Sequence, residues 1–114
     1  MRYLLQIYPD SAMKDYNRRS ADEREAITGE YFAIHNSPAV IGGDRLQPIE
    51  TATTVRVQDG QMLLSDGPFV EAKEYVGGYY LVEADELDDA LEIAARIPAA
   101  RMGGAIEVRP LVER

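Results

Sequence analysis

The stretch DGPFVEAKEYVGGYYLVE, residues 66–83, decides the fold of this chain. Its first half has the composition of a rigid loop, because Gly67 permits a tight backbone and Pro68 fixes φ and removes an amide donor. In such a loop we expect Phe69 to be a buried anchor. Its second half predicts a strand over 77–83 that is apolar on both faces.

A β-hairpin leads into this stretch. The β-rich runs TTVRVQ (53–58) and QMLLS (61–65) are joined by Asp59-Gly60. This dipeptide favours a two-residue hairpin loop, because both loop positions need a positive φ. The loop length sets the register and pairs Val57 with Met62.

The other elements follow from periodicity and from the residues that begin and end helices. Ser20 and Glu23 have the spacing of a capping box at the start of a helix, and we expect Asp85 to cap a second helix. The sequence predicts strands over 2–8, 39–42 and 105–111, helices over 21–35 and 86–97, and an irregular segment over 9–19. The core-facing stripe of the second helix is predicted to be Leu87, Leu91, Ala94 and Ile97.

This order of elements predicts one α+β domain over residues 1–114, ferredoxin-like with an inserted β-hairpin. Helices cover only one face of such a sheet. The other face, carrying either the Leu4 and Tyr8 set or the Tyr80 and Val82 set, is then exposed and apolar. Exposed apolar faces mark interfaces. We therefore expect a homodimer formed through the sheet face.

Composition excludes several classes of function. The 114 residues carry a formal charge of -8, so we expect no direct binding to nucleic acid and no association with anionic membranes. With no cysteine and one histidine, the sequence predicts no metal site. The Gly-Gly pairs lack the spacing of a phosphate-binding loop, so no nucleotide or other cofactor is expected. With no apolar run long enough for a signal peptide or a membrane span, we expect a cytoplasmic protein.

The segment DGPFVEAKE (66–74), followed by GGYYL (77–81), resembles the signature of the YCII-related family in its DGPF branch. That signature reads approximately DGPFAETKE, so Val70 and Ala72 are mild departures. Flanking stretches are similar as well: 46–48, 53–56, 97–101 and 106–110. The resemblance implies a ferredoxin-like domain of the dimeric α+β barrel type.

The resemblance also implies two kinds of role. Distant members of the family look like small enzymes with a His–Asp pair in a dimer cleft, one of which acts on a chlorinated lactone-type substrate. Some DGPF-type domains are associated with alternative sigma factors.

Eight residues are candidates for a functional site. As catalytic groups we expect Asp66 as a general base and His35 or Lys73 as an acid or charge stabiliser. As ligand-binding groups we expect Tyr8, Glu71, Glu74, Tyr79 and Arg101. Structural roles stay open for both Asp66 and His35: Asp66 can hold the corner of the loop, and His35 can bind the carbonyls at the end of its helix. The functional alternative for His35 is a His–Asp pair with Asp44 or Asp66.

Two functions remain open at this stage. One is a cofactor-free acid–base enzyme, an isomerase, lyase or hydrolase, acting on a small organic molecule. The other is a non-catalytic module that binds a ligand or another protein, linked to an alternative sigma factor.

Overall fold

The computed structural model describes residues 1–9, 12–69 and 75–113. Within these ranges the chain forms six strands and three α-helices. The strands are β1 (Arg2–Tyr8), β2 (Val40–Arg45), β3 (Thr53–Gln58), β4 (Gln61–Asp66), β5 (Gly78–Glu83) and β6 (Ala105–Pro110). The helices are α1 (Ala12–Arg18), α2 (Ala21–His35) and α3 (Leu87–Arg96), and short 3-10 turns span Ile49–Thr51 and Pro98–Arg101.

The main sheet has the strand order β2-β5-β1-β6, and every neighbouring pair is antiparallel. β5 lies between β1 and β2 and is antiparallel to both, so β1 and β2 run in the same direction. The β1–α2–β2 connection is therefore a split βαβ unit. This arrangement confirms the ferredoxin-like α+β fold expected from the order of elements. β3 and β4 form a separate two-stranded sheet, which is the inserted hairpin.

The core lies between one face of the sheet and the helices. β1 contributes every second residue to it, as its alternation predicts: Tyr3, Leu5 and Ile7 are buried. The pairs Tyr3–Val82 and Leu5–Tyr80 put the buried residues of β5 on the same side. Of the two sets considered for the uncovered face, the Tyr80 and Val82 set therefore lies under the helices.

The hairpin has the predicted register. Val57 pairs with Met62, and the loop residues Asp59 and Gly60 have φ values of 52° and 74°. The hairpin is apolar but almost fully exposed: Val57 keeps 72% of its surface accessible to solvent and Met62 keeps 66%. It therefore adds little to the core of its own chain.

Residues 9–19, expected to be irregular, contain helix α1, so that prediction was wrong. The helix begins where the Ala12 amide donates to the Pro9 carbonyl at 2.6 Å. The Tyr16 and Thr28 hydroxyls share a hydrogen bond at 3.4 Å and tie it to α2. Among the described side chains only Ala12 and Tyr16 meet the core, so a helix of seven residues shows little apolar periodicity in the sequence.

Helix α3 also differs from the prediction. Glu86, not Asp85, occupies the position before its first turn, and no side chain caps it. Its buried residues are Ala90, Ile93, Ala94 and the following Ile97, whereas Leu87 and Leu91 are 48% and 44% exposed. Ala94 and Ile97 of the predicted stripe are thus confirmed, whereas Ala90 and Ile93 complete it in place of the two leucines.

Strand β2 is longer than the predicted 39–42 and carries a bulge between Val40 and Gly42. Gly43 has a φ of 147°, and a Cβ there would approach the Tyr79 carbonyl oxygen to 2.5 Å. Glycine is therefore needed for β2 to pair closely with β5.

The capping box at the start of α2 is confirmed. The Glu23 amide donates to the Ser20 hydroxyl at 3.2 Å, and the Ser20 amide donates to the Glu23 carboxylate at 3.4 Å. These bonds lower the pKa of Glu23, and the nearby Arg19 adds to the effect. Both partners are exposed, so the box acts locally on the helix.

We expect Ser20→Ala to lower the free energy of unfolding by about 1 kcal/mol, because the Glu23 amide loses its acceptor. Urea unfolding followed by circular dichroism measures this difference. Ser65→Ala, at an exposed position of the hairpin, is the control and should change little. Equal unfolding midpoints for wild type and Ser20→Ala would contradict the role of the cap.

Candidate functional site

The sheet face opposite the helices is the candidate site. We call it the open face, and it is formed by alternate residues of the four strands: Leu4, Gln6, Tyr8, Gly42, Asp44, Tyr79, Leu81, Glu107 and Arg109. Its central residues are only half-buried, because no helix covers them. The Leu4 and Tyr8 set is thus the one that faces away from the core.

A line of polar side chains crosses the open face. Asp44 pairs with Tyr79, Tyr79 pairs with Gln6, and Gln6 pairs with Glu107. We call these four residues the polar row. Strands lie about 4.8 Å apart, so the row extends about 14 Å across the four strands. The next line, Gly42–Leu81–Leu4–Arg109, is apolar except for its last residue.

The polar row combines groups that bind and move protons. The tyrosine hydroxyl and the glutamine amide can each donate and accept, and the carboxylates at both ends can accept; that of Glu107 already accepts from the Arg109 guanidinium on the same strand. Tyr8 lies on the same face two residues beyond Gln6 and is half-buried. Two phenol rings therefore flank the central amide, which suits a flat ligand that carries hydroxyl or carbonyl groups.

Three members of the row were not among the candidates as site residues. Gln6 and Glu107 were absent, and Asp44 was considered only as a partner of His35. The signal that could have found Gln6 is its position as a polar residue in the otherwise apolar alternation of β1. Asp44 and Glu107 become neighbours of the site only through the strand register, which depends on long-range pairing.

His35 lies away from the open face, at the last turn of α2 on the helix side. Its ring centroid is 6.5 Å from that of Tyr80, with the two planes tilted by 49°. Among the described residues it makes no hydrogen bond or ion pair. Within one chain, His35 is therefore not paired with Asp44 or Asp66.

Asp66 ends β4 opposite Thr53 and is exposed. The corner after it is closed by other groups: the Gly67 amide donates to the Ala52 carbonyl at 2.7 Å, and the Thr54 hydroxyl donates to the Gly67 carbonyl at 2.7 Å. No described residue bonds the Asp66 carboxylate.

Phe69, expected to be a buried anchor of this corner, is 68% exposed, so that prediction was wrong. The Arg56 guanidinium lies 5.4 Å from the centre of its ring, which is a cation–π contact at the surface. The two hairpin strands are themselves exposed, so in the described part of the chain they do not cover the ring.

The remaining candidates fall in two places. Glu71, Lys73 and Glu74 lie outside the described residues. The guanidinium of Arg101 donates to the carboxylate of Glu30 on α2, so it lies on the helix side of the sheet. Of the five candidates within the described residues, Tyr8 and Tyr79 are the two that lie together on the open face.

Tyr80, under the helices, has a hydroxyl that donates to the Tyr31 carbonyl at 3.2 Å. Burial, together with the nearby phenol of Tyr31, raises the pKa of Tyr80 to about 12. The pKa of Tyr31 is raised as well, chiefly by burial. These two tyrosines are core groups that stay neutral at physiological pH.

Comparison with known proteins agrees with the fold and the motif. The family model of the YCII-related domain matches residues 1–114. The chain belongs to the YCII-related family. An uncharacterized protein of Rhizobium meliloti (strain 1021) is 33% identical over 117 residues, which cover 97% of this chain and 92% of the relative.

A solved structure with the same fold is 5-chloro-2-hydroxyhydroquinone dehydrochlorinase (TftG) from Burkholderia phenoliruptrix AC1100, in complex with 2,5-dihydroxybenzoquinone. The match has a TM-score of 0.52 and 15% identity, and it covers 100% of this chain and 96% of that one. At this identity the comparison shows a shared fold. In the described part of this YCII-related chain, no helix is long and apolar enough to cross a membrane.

The raised pKa of Tyr80 gives a stability loss at alkaline pH. A tyrosine in the unfolded chain titrates near pH 10, so the folded state holds this proton more tightly between about pH 10 and 12. The stabilisation is complete below pH 10 and is lost as the pH rises toward 12. We expect absorbance titration to show late-ionising phenols, one of which disappears in Tyr80→Phe.

Tyr79→Phe, on the opposite face of the same strand, is the matched control for this titration. It should leave the Tyr80 hydroxyl and its late ionisation in place. If Tyr80→Phe and Tyr79→Phe give the same titration curve above pH 10, the burial of the Tyr80 hydroxyl is not what holds its proton.

Proposed function

We propose that this protein is a homodimeric acid–base enzyme that acts on a small, flat organic molecule bound at the polar row. The observation that carries the proposal is the row itself, in which Asp44 and Glu107 flank Tyr79 and Gln6 on a half-buried sheet face. The reaction class is proton transfer, as in an isomerase, a lyase or a hydrolase. The DGPF branch of the family is part of this proposal.

The groups of the row divide into two roles. Asp44 or Glu107 acts as the general base, because a carboxylate is the proton acceptor among these side chains. Tyr79 and Gln6 orient the ligand through its oxygens, and Tyr8 places a ring beside it. Carboxylates at opposite ends of a bound molecule can take a proton at one position and return it at another.

Glu71, Lys73 and Glu74 remain candidates in this proposal. They precede Gly77 in the sequence by three to six positions, and the Gly77 amide donates to the Ile7 carbonyl at 2.8 Å, next to Tyr8. We propose that they extend the ligand site beyond the end of β1, and that Asp66 and His35 act only where the dimer brings them to it.

The solved relative of the same fold supports the choice of ligand class. It is a dehydrochlorinase in complex with 2,5-dihydroxybenzoquinone, a flat ring with oxygens around its edge. Hydroxyl, amide and carboxylate groups spaced at strand separation match a ligand of this kind. A hydroxyquinone is therefore a suitable probe for this chain.

Binding of 2,5-dihydroxybenzoquinone, measured by isothermal titration calorimetry, tests the location. We expect Tyr79→Phe and Gln6→Leu each to weaken binding about tenfold, because each loses a hydrogen bond to a charged or polar oxygen. Tyr16→Phe, which removes a phenol hydroxyl on the helix side, is the matched control. Unchanged binding in both row variants would contradict the location.

The same probe tests catalysis, since its ring hydrogens exchange with solvent deuterium by gain and loss of a proton at carbon. We expect the protein to accelerate this exchange, followed by NMR, and Asp44→Asn or Glu107→Gln to slow it. Loss of exchange in Asp66→Asn or His35→Gln, with both row variants active, would instead assign the base to the hairpin or to α2. Binding without accelerated exchange would favour a ligand-binding module.

The homodimer is a proposal as well, and the open face supports it. Leu4 and Leu81 form an apolar line beside the polar row, and neither is covered by the chain's own helices. Packing two sheets face to face removes this surface from water and closes the polar row against solvent. A dimer therefore also supplies the water-poor environment in which acid–base groups work.

We expect multi-angle light scattering to give twice the 12.7 kDa mass of the chain at micromolar concentration. Leu81→Glu should shift the mass toward one chain, because it places a charge in the apolar line. Leu91→Glu, at an exposed flank of α3, is the matched control and should stay dimeric. A monomeric wild type, or dissociation by both variants alike, would contradict the proposed interface.

A non-catalytic interaction module is the second candidate, and the hairpin favours it. Its exposed apolar residues, Val55, Val57, Met62 and Leu64, form one continuous side of the two strands. Such a surface suits a protein partner, and an alternative sigma factor is the partner type that the family resemblance suggests.

A further inference from the structure

A groove on the helix side collects an unusual share of the positive charge. It has a volume of about 500 Å³ and lies between α1 and the turn Pro98–Arg101, lined by Lys14, Asp15, Arg18, Arg19, Arg101 and Met102. The chain has 12 basic residues against 20 acidic ones, yet four of the 12 line this one groove. Clustered cations in an acidic protein create a local positive potential.

Two of the four cations are held in place by carboxylates. Arg19 donates to Asp15 through Nε at 3.2 Å and Nη2 at 3.0 Å, and through Nη1 to Glu23 at 3.3 Å. Arg101 is held by Glu30 of α2. These pairs span α1, α2 and the turn Pro98–Arg101, so they fix the walls of the groove.

The other two cations, Lys14 and Arg18, make no hydrogen bond or ion pair with another described residue. They are four residues apart on α1 and therefore project from the same side of the helix. The three carboxylates named above bind Arg19 and Arg101, and no carboxylate in the described part of the chain binds Lys14 or Arg18. The groove thus presents two donors without a partner among the described residues beside two guanidinium groups held by carboxylates.

We propose that this groove binds a small organic molecule that carries a dianionic oxyanion group, such as a phosphate monoester or a dicarboxylate. Guanidinium and ammonium donors are the groups that recognise phosphate and carboxylate oxygens. The buried Met102 gives the groove an apolar wall for the rest of the ligand. The volume lies in the range of small-molecule sites.

The groove is independent of the polar row. Arg101 is bound to α2, whereas the row lies on the sheet face turned away from the helices. The chain passes between them at Gly104, where a Cβ would approach the Tyr8 carbonyl oxygen to 2.4 Å. An anion in the groove is therefore a second ligand, and its binding does not require the row to be a catalytic site.

Inorganic phosphate, glycerol phosphate and malonate are the probes, and isothermal titration calorimetry on the full chain is the measurement. We expect the double variant Lys14→Gln/Arg18→Gln to weaken binding at least about tenfold, because hydrogen bonds to charged groups are lost. Lys14→Arg keeps the charge and should retain binding. Both positions are exposed, and circular dichroism verifies that the variants are folded.

Arg96→Gln, on the exposed side of α3, is the matched control, and Tyr79→Phe is the control for the polar row. Both should bind the probes as wild type does. Tighter binding of glycerol phosphate than of malonate would identify the ligand as a phosphate ester, and the reverse order as a dicarboxylate. Heat signals reproduced by sodium chloride at equal ionic strength, or equal loss in Arg96→Gln, would overturn the proposal.

Discussion

Strand β1 is hydrogen-bonded on both sides, to β5 and to β6, and the rest of the molecule is arranged around that double pairing. Its inward residues are among the most buried of the described chain, with Leu5 at 0% exposure. One crossover connection runs from β1 through α2 to β2, and the other runs from β5 through α3 to β6, the two strands that flank β1. Because the helices return to the same side each time, one face of β1 becomes core and the other remains open.

This one-sided arrangement gives a short strand two functions. Leu5 and Ile7 stabilise the core, while Gln6 and Tyr8, which alternate with them, belong to the open face. A shift of the register by one residue would exchange the two sets, placing an amide and a phenol in the core. The burial of Leu5 therefore fixes which side chains the open face presents, and the chemistry of that face depends on packing beneath it.

The sequence specifies best what is determined locally. Asp59-Gly60 and the Ser20–Glu23 box act within a few residues, and both were predicted with their correct bounds. The polar row depends on pairing between strands that are about a hundred residues apart, such as Gln6 with Glu107, so only the register reveals it. Helix α1 was missed because only Ala12 and Tyr16 among its described side chains meet the core. Of the stripe predicted for α3, Ala94 and Ile97 are buried, whereas Ala90 and Ile93 take the places expected for the two leucines.

The hairpin interrupts the chain between β2 and β5, which are themselves neighbours in the main sheet. Without it, the two strands need only a short turn to pair as they do. The chain thus leaves the main sheet and returns to it at nearly the same place. The hairpin strands β3 and β4 pair with each other in a separate two-stranded sheet. The tip of the insertion around Asp59-Gly60 can therefore lengthen or shorten without disturbing the pairing of β2 with β5, while its base holds the stretches 53–56 and 66–69 that resemble the family signature.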